Sequence, residues 1–261
     1  RLSKAQTELG KTISSLDNEL SDAEGKQLAN EYATELNALN NEYTNLKGVD
    51  AVGTVDVEGE QVPVFEQYQS KAKALYESYK EKASSGTVQS IFGNKASVYT
   101  RSFIDDITKH SLKQQRDYLT NETTQEITNS QNDAVTHFES WNNPDGLFRQ
   151  NYAIGLAKIQ ELAQLKGWNI DPNTEDADGN KIGISEQYLA EVEKYNMHIT
   201  KGVVKSLKEK KDNRGAANFL LWVQRASGNE NSVEVNQLQD ENKNDAIEHG
   251  NSKCVDAIIS N

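Results

Sequence analysis

The scarcity of proline constrains this chain more than any other feature. Only 3 prolines occur in 261 residues, at Pro63, Pro144 and Pro172, so over long stretches nothing in the backbone forbids an uninterrupted helix. Hydrophobic residues are 35% of the chain and mean hydropathy is -0.78, lean for a compact globule. That combination predicts long helices that bury narrow apolar stripes. Charged residues of both signs make up 26%, and apolar positions recur throughout, which argues against wholesale disorder.

The stripes can be followed along the chain. Leu2, Leu9, Ile13, Leu16 and Leu20 step by sevens, fours and threes, and Leu28, Tyr32, Leu36, Leu39, Tyr43 and Leu46 resume the step beyond Gly25. The spacing predicts a coiled-coil-like helix over 3–46 with a bend or turn at Gly25. From Gly48 to Val64 the period becomes two, with Val55, Val57, Val62 and Val64 flanking Glu58-Gly59, the mark of a small β-hairpin. A helix over 63–83 follows, carrying Phe65, Tyr68, Ala72, Leu75 and Tyr79 on one face.

Next comes a long polar helix over 88–141, its apolar residues thinned to Leu112, Leu119, Ile127, Ala134, Phe138 and Trp141. Such a helix is marginal alone and calls for a partner helix. Asn142-Asn143-Pro144-Asp145-Gly146 forms a turn, and helices are expected over 147–166, 184–211 and 216–225, with a weaker one over 233–247. The loop 169–183, with its Asp178-Gly179 pair, resembles an inserted hairpin. The apolar end from Cys254 to Ile259 is expected to pack on another subunit or on a continuation of the chain, since Arg1 lies inside a helical pattern with no initiating methionine.

The expected fold class is mainly α, an elongated helical bundle of coiled-coil-like hairpins with one or two small β-hairpin insertions. Its regions are 1–86, a helical hairpin with the β excursion at 48–64; 87–227, the long helix and a bundle; and 228–261, a polar tail with a weak helix.

Composition also restricts function. A net charge of -12 and a pI near 4.9 disfavour a surface that grips DNA or anionic lipid by neutralising phosphates, so at most weak contact with passing DNA is expected. One cysteine, Cys254, excludes an intrachain disulfide framework and reads as a small core residue. No apolar run is long enough for a membrane span.

The stretch Thr174-Glu175-Asp176-Ala177-Asp178-Gly179-Asn180 has the acidic clustering of a calcium loop. With Gly179 at the sixth position, however, the first and twelfth positions fall on Thr174 and Ser185, which carry no carboxylate, so a plain acidic turn is expected. His110, His137, His198 and His249 lack neighbours at zinc-ligand spacing, and His110 and His198 are expected on helix flanks. Phosphate-binding loops and nucleophile elbows are missing from the sequence, and no pair of carboxylates is singled out for acid–base work. The expectation is a non-enzyme with no cofactor and no metal. Trp141, Trp168 and Trp222 read as helix-end anchors.

Some residues carry a family resemblance. Ala134-Val135-x-x-Phe138, Asn143-Pro144-Asp145 and Leu162-x-x-Leu165-x-Gly167-Trp168 are followed by Tyr195-x-x-His198-x-x-x-Gly202-Val203-Val204-x-x-Leu207 and by Asp212-Asn213-x-Gly215-Ala216-Ala217. Over about 134–226 the chain resembles the helical region of tailed-bacteriophage internal virion proteins, the DNA-ejection class, and the polar helix through Gln114-Gln115-Arg116 matches it in style. The chain departs from that pattern in the 171–183 insertion between Gly-Trp and the next helix. The resemblance implies a homo-oligomeric virion protein, delivered into the host envelope on infection. It further implies portal, tail or core proteins as partners and a role in the conduit for genome delivery.

Two rival readings are a bacterial envelope or secretion coiled-coil adaptor, and a region that positions a peptidoglycan-cleaving domain of a larger virion enzyme. In all of them the working surface is helical. The candidate partner-packing residues are Leu9, Ile13, Leu16, Leu20, Leu112, Leu119, Ile127, Phe138, Trp141, Trp168 and Trp222.

Overall fold

A computed structural model describes residues 2–227 and 233–248. His249 and the apolar end from Cys254 to Ile259 lie outside the described residues. The protein is 80% helical, with eight α-helices and one two-stranded antiparallel sheet among the described residues. It divides into two compact units, 1–118 and 119–261.

The first unit begins with α1 (Leu2–Thr44), a single helix with no bend at Gly25. Gly25 is a point of close approach instead: a Cβ there would sit 2.7 Å from Ile91 Cγ2, so only a bare Cα lets the start of α4 come this near. Beyond this contact Leu28, Ala29, Tyr32, Leu36 and Tyr43 turn inward.

A four-residue helix, α2 (Val49–Val52), precedes the hairpin β1 (Thr54–Val57) and β2 (Glu60–Pro63), which pairs Val55 with Val62. Its turn residues Glu58 and Gly59 both have positive φ, 56° and 88°, as the right-handed twist of a two-residue hairpin turn requires. Pro63 ends the hairpin and stands immediately before α3 (Val64–Glu81), placing it just outside the helix it was expected to open.

The last helix of this unit, α4 (Gly86–Thr136), starts with Ser85 Oγ accepting from the Val88 N–H. Its first half is far from apolar-poor: Val88, Phe92, Ala96, Phe103 and Ile107 are buried against α1 and α3. This burial moves the division of the chain into the middle of α4, not to 86/87. The apolar stripe at 88–107 belongs to the first core, whereas Ile127 and Ala134 belong to the second.

Tyrosine dominates the first core. Tyr32 packs edge-on against Phe92 and Tyr79, with ring centroids 5.7 and 5.9 Å apart. Each buried hydroxyl finds a partner. Thr100 donates its own proton to the Ala96 carbonyl, so Tyr32 is the donor in their 2.6 Å bond. Tyr68 donates to Glu42 at 2.6 Å and Tyr79 to Glu35 at 2.7 Å. His110, more than a flank residue, donates from Nε2 to the Leu46 carbonyl and holds the end of α1 in place.

The bond to Glu35, with burial second, pushes the Tyr79 phenol up to about 12 from its ordinary 10.0. Folding therefore favours the protonated phenol, and this contribution is complete below pH 10 and lost as pH rises towards 12. Melting temperature is expected to fall less steeply across that window in Tyr79→Phe than in the parent protein. Circular dichroism melts with equal slopes for both would contradict the assignment.

The second unit comprises the end of α4, a 3-10 turn at Phe138–Ser140, α5 (Leu147–Lys166), α6 (Glu186–Glu209), α7 (Asn213–Ser227) and α8 (Val233–Glu248). Gly167, at φ 71°, closes α5, and the Trp168 N–H reaches back to the Ala163 carbonyl at 2.8 Å. Phe148, Ile159, Tyr195, Ile199, Val203, Phe219 and Leu220 fill the core, and α8 docks through Val235 and through Asn242, which donates to the Asn213 carbonyl.

Two glycines tighten this core. A Cβ on Gly155 would lie 2.0 Å from Tyr195 Oη, and one on Gly202 would lie 2.6 Å from Val135 Cγ2. Tyr195 spans the gap at Gly155 and donates among the carbonyls of Asn151 and Tyr152, 3.2 Å from each.

Candidate functional site

The sequence-predicted packing residues separate into two groups. Ile127 is buried, which removes it from the partner contacts, and Phe138, Trp141, Trp168 and Trp222 are partly buried against the second unit's own core, so they pack within the chain. The reason is local. Four aromatic rings, Trp141, Phe148, Phe219 and Trp222, meet with centroids 5.5 to 6.4 Å apart, and the Arg149 guanidinium covers Trp222 at 3.9 Å while its Nε donates to the Trp141 carbonyl. Trp222 sits inside α7 rather than at its end, because that helix begins at Asn213 and runs to Ser227.

The other six, Leu9, Ile13, Leu16, Leu20, Leu112 and Leu119, are exposed. The four on α1 are the most telling. They are 51 to 68% exposed, and every side chain from residue 6 to residue 20 is exposed as well. Steps of four, three and four place Leu9, Ile13, Leu16 and Leu20 along one seam at the a and d positions of a heptad. Asp17 and Glu19 then fall at the e and g positions, one on each side of the seam. Unlike the residues past Gly25, residues 6–20 bury no side chain, although they belong to the same unbroken helix.

The acidic turn uses its carboxylates locally. Asp176 accepts from the backbone N–H groups of Asp178 and Asn180, 2.9 Å from each, and from the Asn180 side chain, and these bonds hold its carboxyl below the usual range. A single antiparallel bridge, Glu175 to Lys181, closes the loop with Gly179 at positive φ. Among the described residues no group of His, Cys, Asp or Glu is placed to hold a metal ion, and no helix is long and apolar enough to cross a membrane.

One surface escaped sequence reasoning. Between α3 and α4 lies an open groove of about 460 Å³ floored by Ala72, Tyr76 and Ile104, with Lys73 and Arg101 on its two walls. Tyr76 and Ile104 were visible as apolar residues, but a groove exists only once two helices pair. Tyr76 itself lies four residues from Ala72 and three from Tyr79, at the edge of the core stripe, and so gave no separate signal.

Comparison with protein-family models, with curated proteins and with solved structures finds no match to this chain.

Proposed function

We propose that this protein is a structural component of a tailed-phage particle, an internal virion protein that helps build the conduit for genome delivery across the host envelope. One observation carries the assembly part of this reading: a regular apolar seam on α1, Leu9 to Leu20, is solvent-exposed for its whole length. Water penalises such a seam by about 25 cal/mol per Å² of apolar surface, and a second helix laid along it removes that penalty. The motifs between Ala134 and Ala217 support the virion setting, by resemblance.

In this reading the partners are further copies of the chain and other proteins of the portal, tail or core. The chain's own part is mechanical rather than catalytic, and its acidic surface leaves passing DNA weakly held. Mass spectrometry of purified virions from the phage that encodes the chain is expected to recover its peptides in stoichiometric amount. Their absence from particles would retire the virion reading. Release of muropeptides from peptidoglycan by the purified chain alone would overturn the non-catalytic part.

A further inference from the structure

We infer that the α3/α4 groove of one copy receives the α1 seam of a second copy, so that the protein associates head to tail. The inference rests on the reading of the seam as an assembly surface and names its partner. Both mating surfaces lie in the first unit, and each lacks what the other offers.

The groove is lined at Gln69, Ala72, Lys73 and Tyr76 on α3, and at Ser97, Thr100, Arg101 and Ile104 on α4. On each helix these are positions i, i+3 or i+4, and i+7, a run of two turns or roughly 10 Å. Leu9, Ile13 and Leu16 are spaced i, i+4 and i+7 on α1, the same length and period. The floor is apolar, as is the seam.

The walls carry one cation each, Lys73 on α3 and Arg101 on α4, both exposed and neither in an ion pair among the described residues. The seam carries Asp17 on one flank and Glu19 on the other, likewise outside the ion pairs of the described residues. In a chain of net charge -12, two cations outside the ion pairs of the described residues, one on each helix lining an apolar groove, suit an acidic-flanked helix.

Two alternatives are weaker. A parallel pairing of two α1 seams sets Glu19 of one helix against Glu24 of the other, the g-to-e′ position, where like charges repel. Folding back within one chain is prevented by the continuity of α1. An unbroken helix carries Leu20 through Leu9 roughly 8 to 24 Å beyond the Gly25 contact with α4.

The test uses the whole chain and sedimentation velocity across a concentration series, with circular dichroism confirming that each variant is folded. The parent protein is expected to self-associate, less so at 0.5 M salt. Groove reversal, Lys73→Glu with Arg101→Glu, and seam reversal, Asp17→Lys with Glu19→Lys, are each expected to weaken association by roughly 100-fold, because like charges then face one another. Mixing the two variants restores opposite charges at both kinds of contact, and association is expected to return.

Association that is lost in Leu16→Asp but untouched by groove reversal would overturn the inference and leave the seam as an assembly surface for another partner. A parent chain that stays monomeric at every concentration would overturn it too, while recovery of the peptides from virions would still uphold the assembly role.

Discussion

Gly155→Val is expected to collapse the second unit's core, lowering stability by about 3–5 kcal/mol. The Cβ would enter 2.0 Å from Tyr195 Oη and 2.4 Å from Ser130 Oγ, distances at which one group must leave. Both neighbours are anchored. Tyr195 is fully buried between Tyr152 and the α5 carbonyls, and Ser130 donates to the Ile127 carbonyl at 2.8 Å. Overpacking of this kind costs about 1–3 kcal/mol, and displacing the tyrosine strands buried polar groups at a further cost of about 1–3 kcal/mol. The better helix propensity of valine over glycine returns only a few tenths. All three tryptophans, Trp141, Trp168 and Trp222, report on this unit, so the urea midpoint read by their fluorescence is expected to drop by roughly 1–2 M. An unchanged midpoint would show that Gly155 is not the close contact described.

Phe92→Ala is expected to do comparable damage in the first unit. Phe92 is fully buried and lies within 5.5 to 6.4 Å of the rings of Tyr32, Tyr76 and Tyr79, so truncation removes the ring that three tyrosines share. Losses for buried phenylalanine run to about 3–5 kcal/mol, from transfer and cavity terms together. The tyrosines cannot close the gap freely. Tyr32 and Tyr79 are tethered at their hydroxyls to Thr100 and Glu35, which opposes collapse. Hydrogen exchange of amides in α1 beyond Gly25 and in α3 should accelerate by two orders of magnitude or more, since 1.4 kcal/mol is tenfold in an opening equilibrium. Protection factors unchanged in both helices would contradict the shared-ring description.

Much of this fold could be read before any coordinates. Helices over 147–166 and 233–247 and the hairpin around Glu58-Gly59 fall within a residue or so of the observed elements, because the signals there are local: a Gly-Trp stop, a β-turn dipeptide, a 3.6-residue stripe. The misreadings concern what lies opposite. Gly25 reads as a bend until Ile91 is seen against it, and glycine spacing alone cannot distinguish a turn from a close crossing. Phe138 and Trp141 read as partner contacts because the 88–141 stretch reads as poor in apolar residues, yet α7 brings Phe219 against Trp141 within the same chain. Leu9 to Leu20 show as a regular apolar stripe in the sequence and stand exposed in the structure. The groove beneath Tyr76 was illegible because it belongs to neither α3 nor α4 separately.

The passage of α1 through Gly25 without a break has a geometric consequence. With no hinge between the packed and bare halves of that helix, its exit angle from the bundle is set by how closely α4 approaches at Ile91. In a head-to-tail assembly that angle fixes the rotation from one subunit to the next, and so decides between a closed ring and an open filament. The curvature of such an assembly would then be governed by one buried glycine, just behind the surface where copies meet.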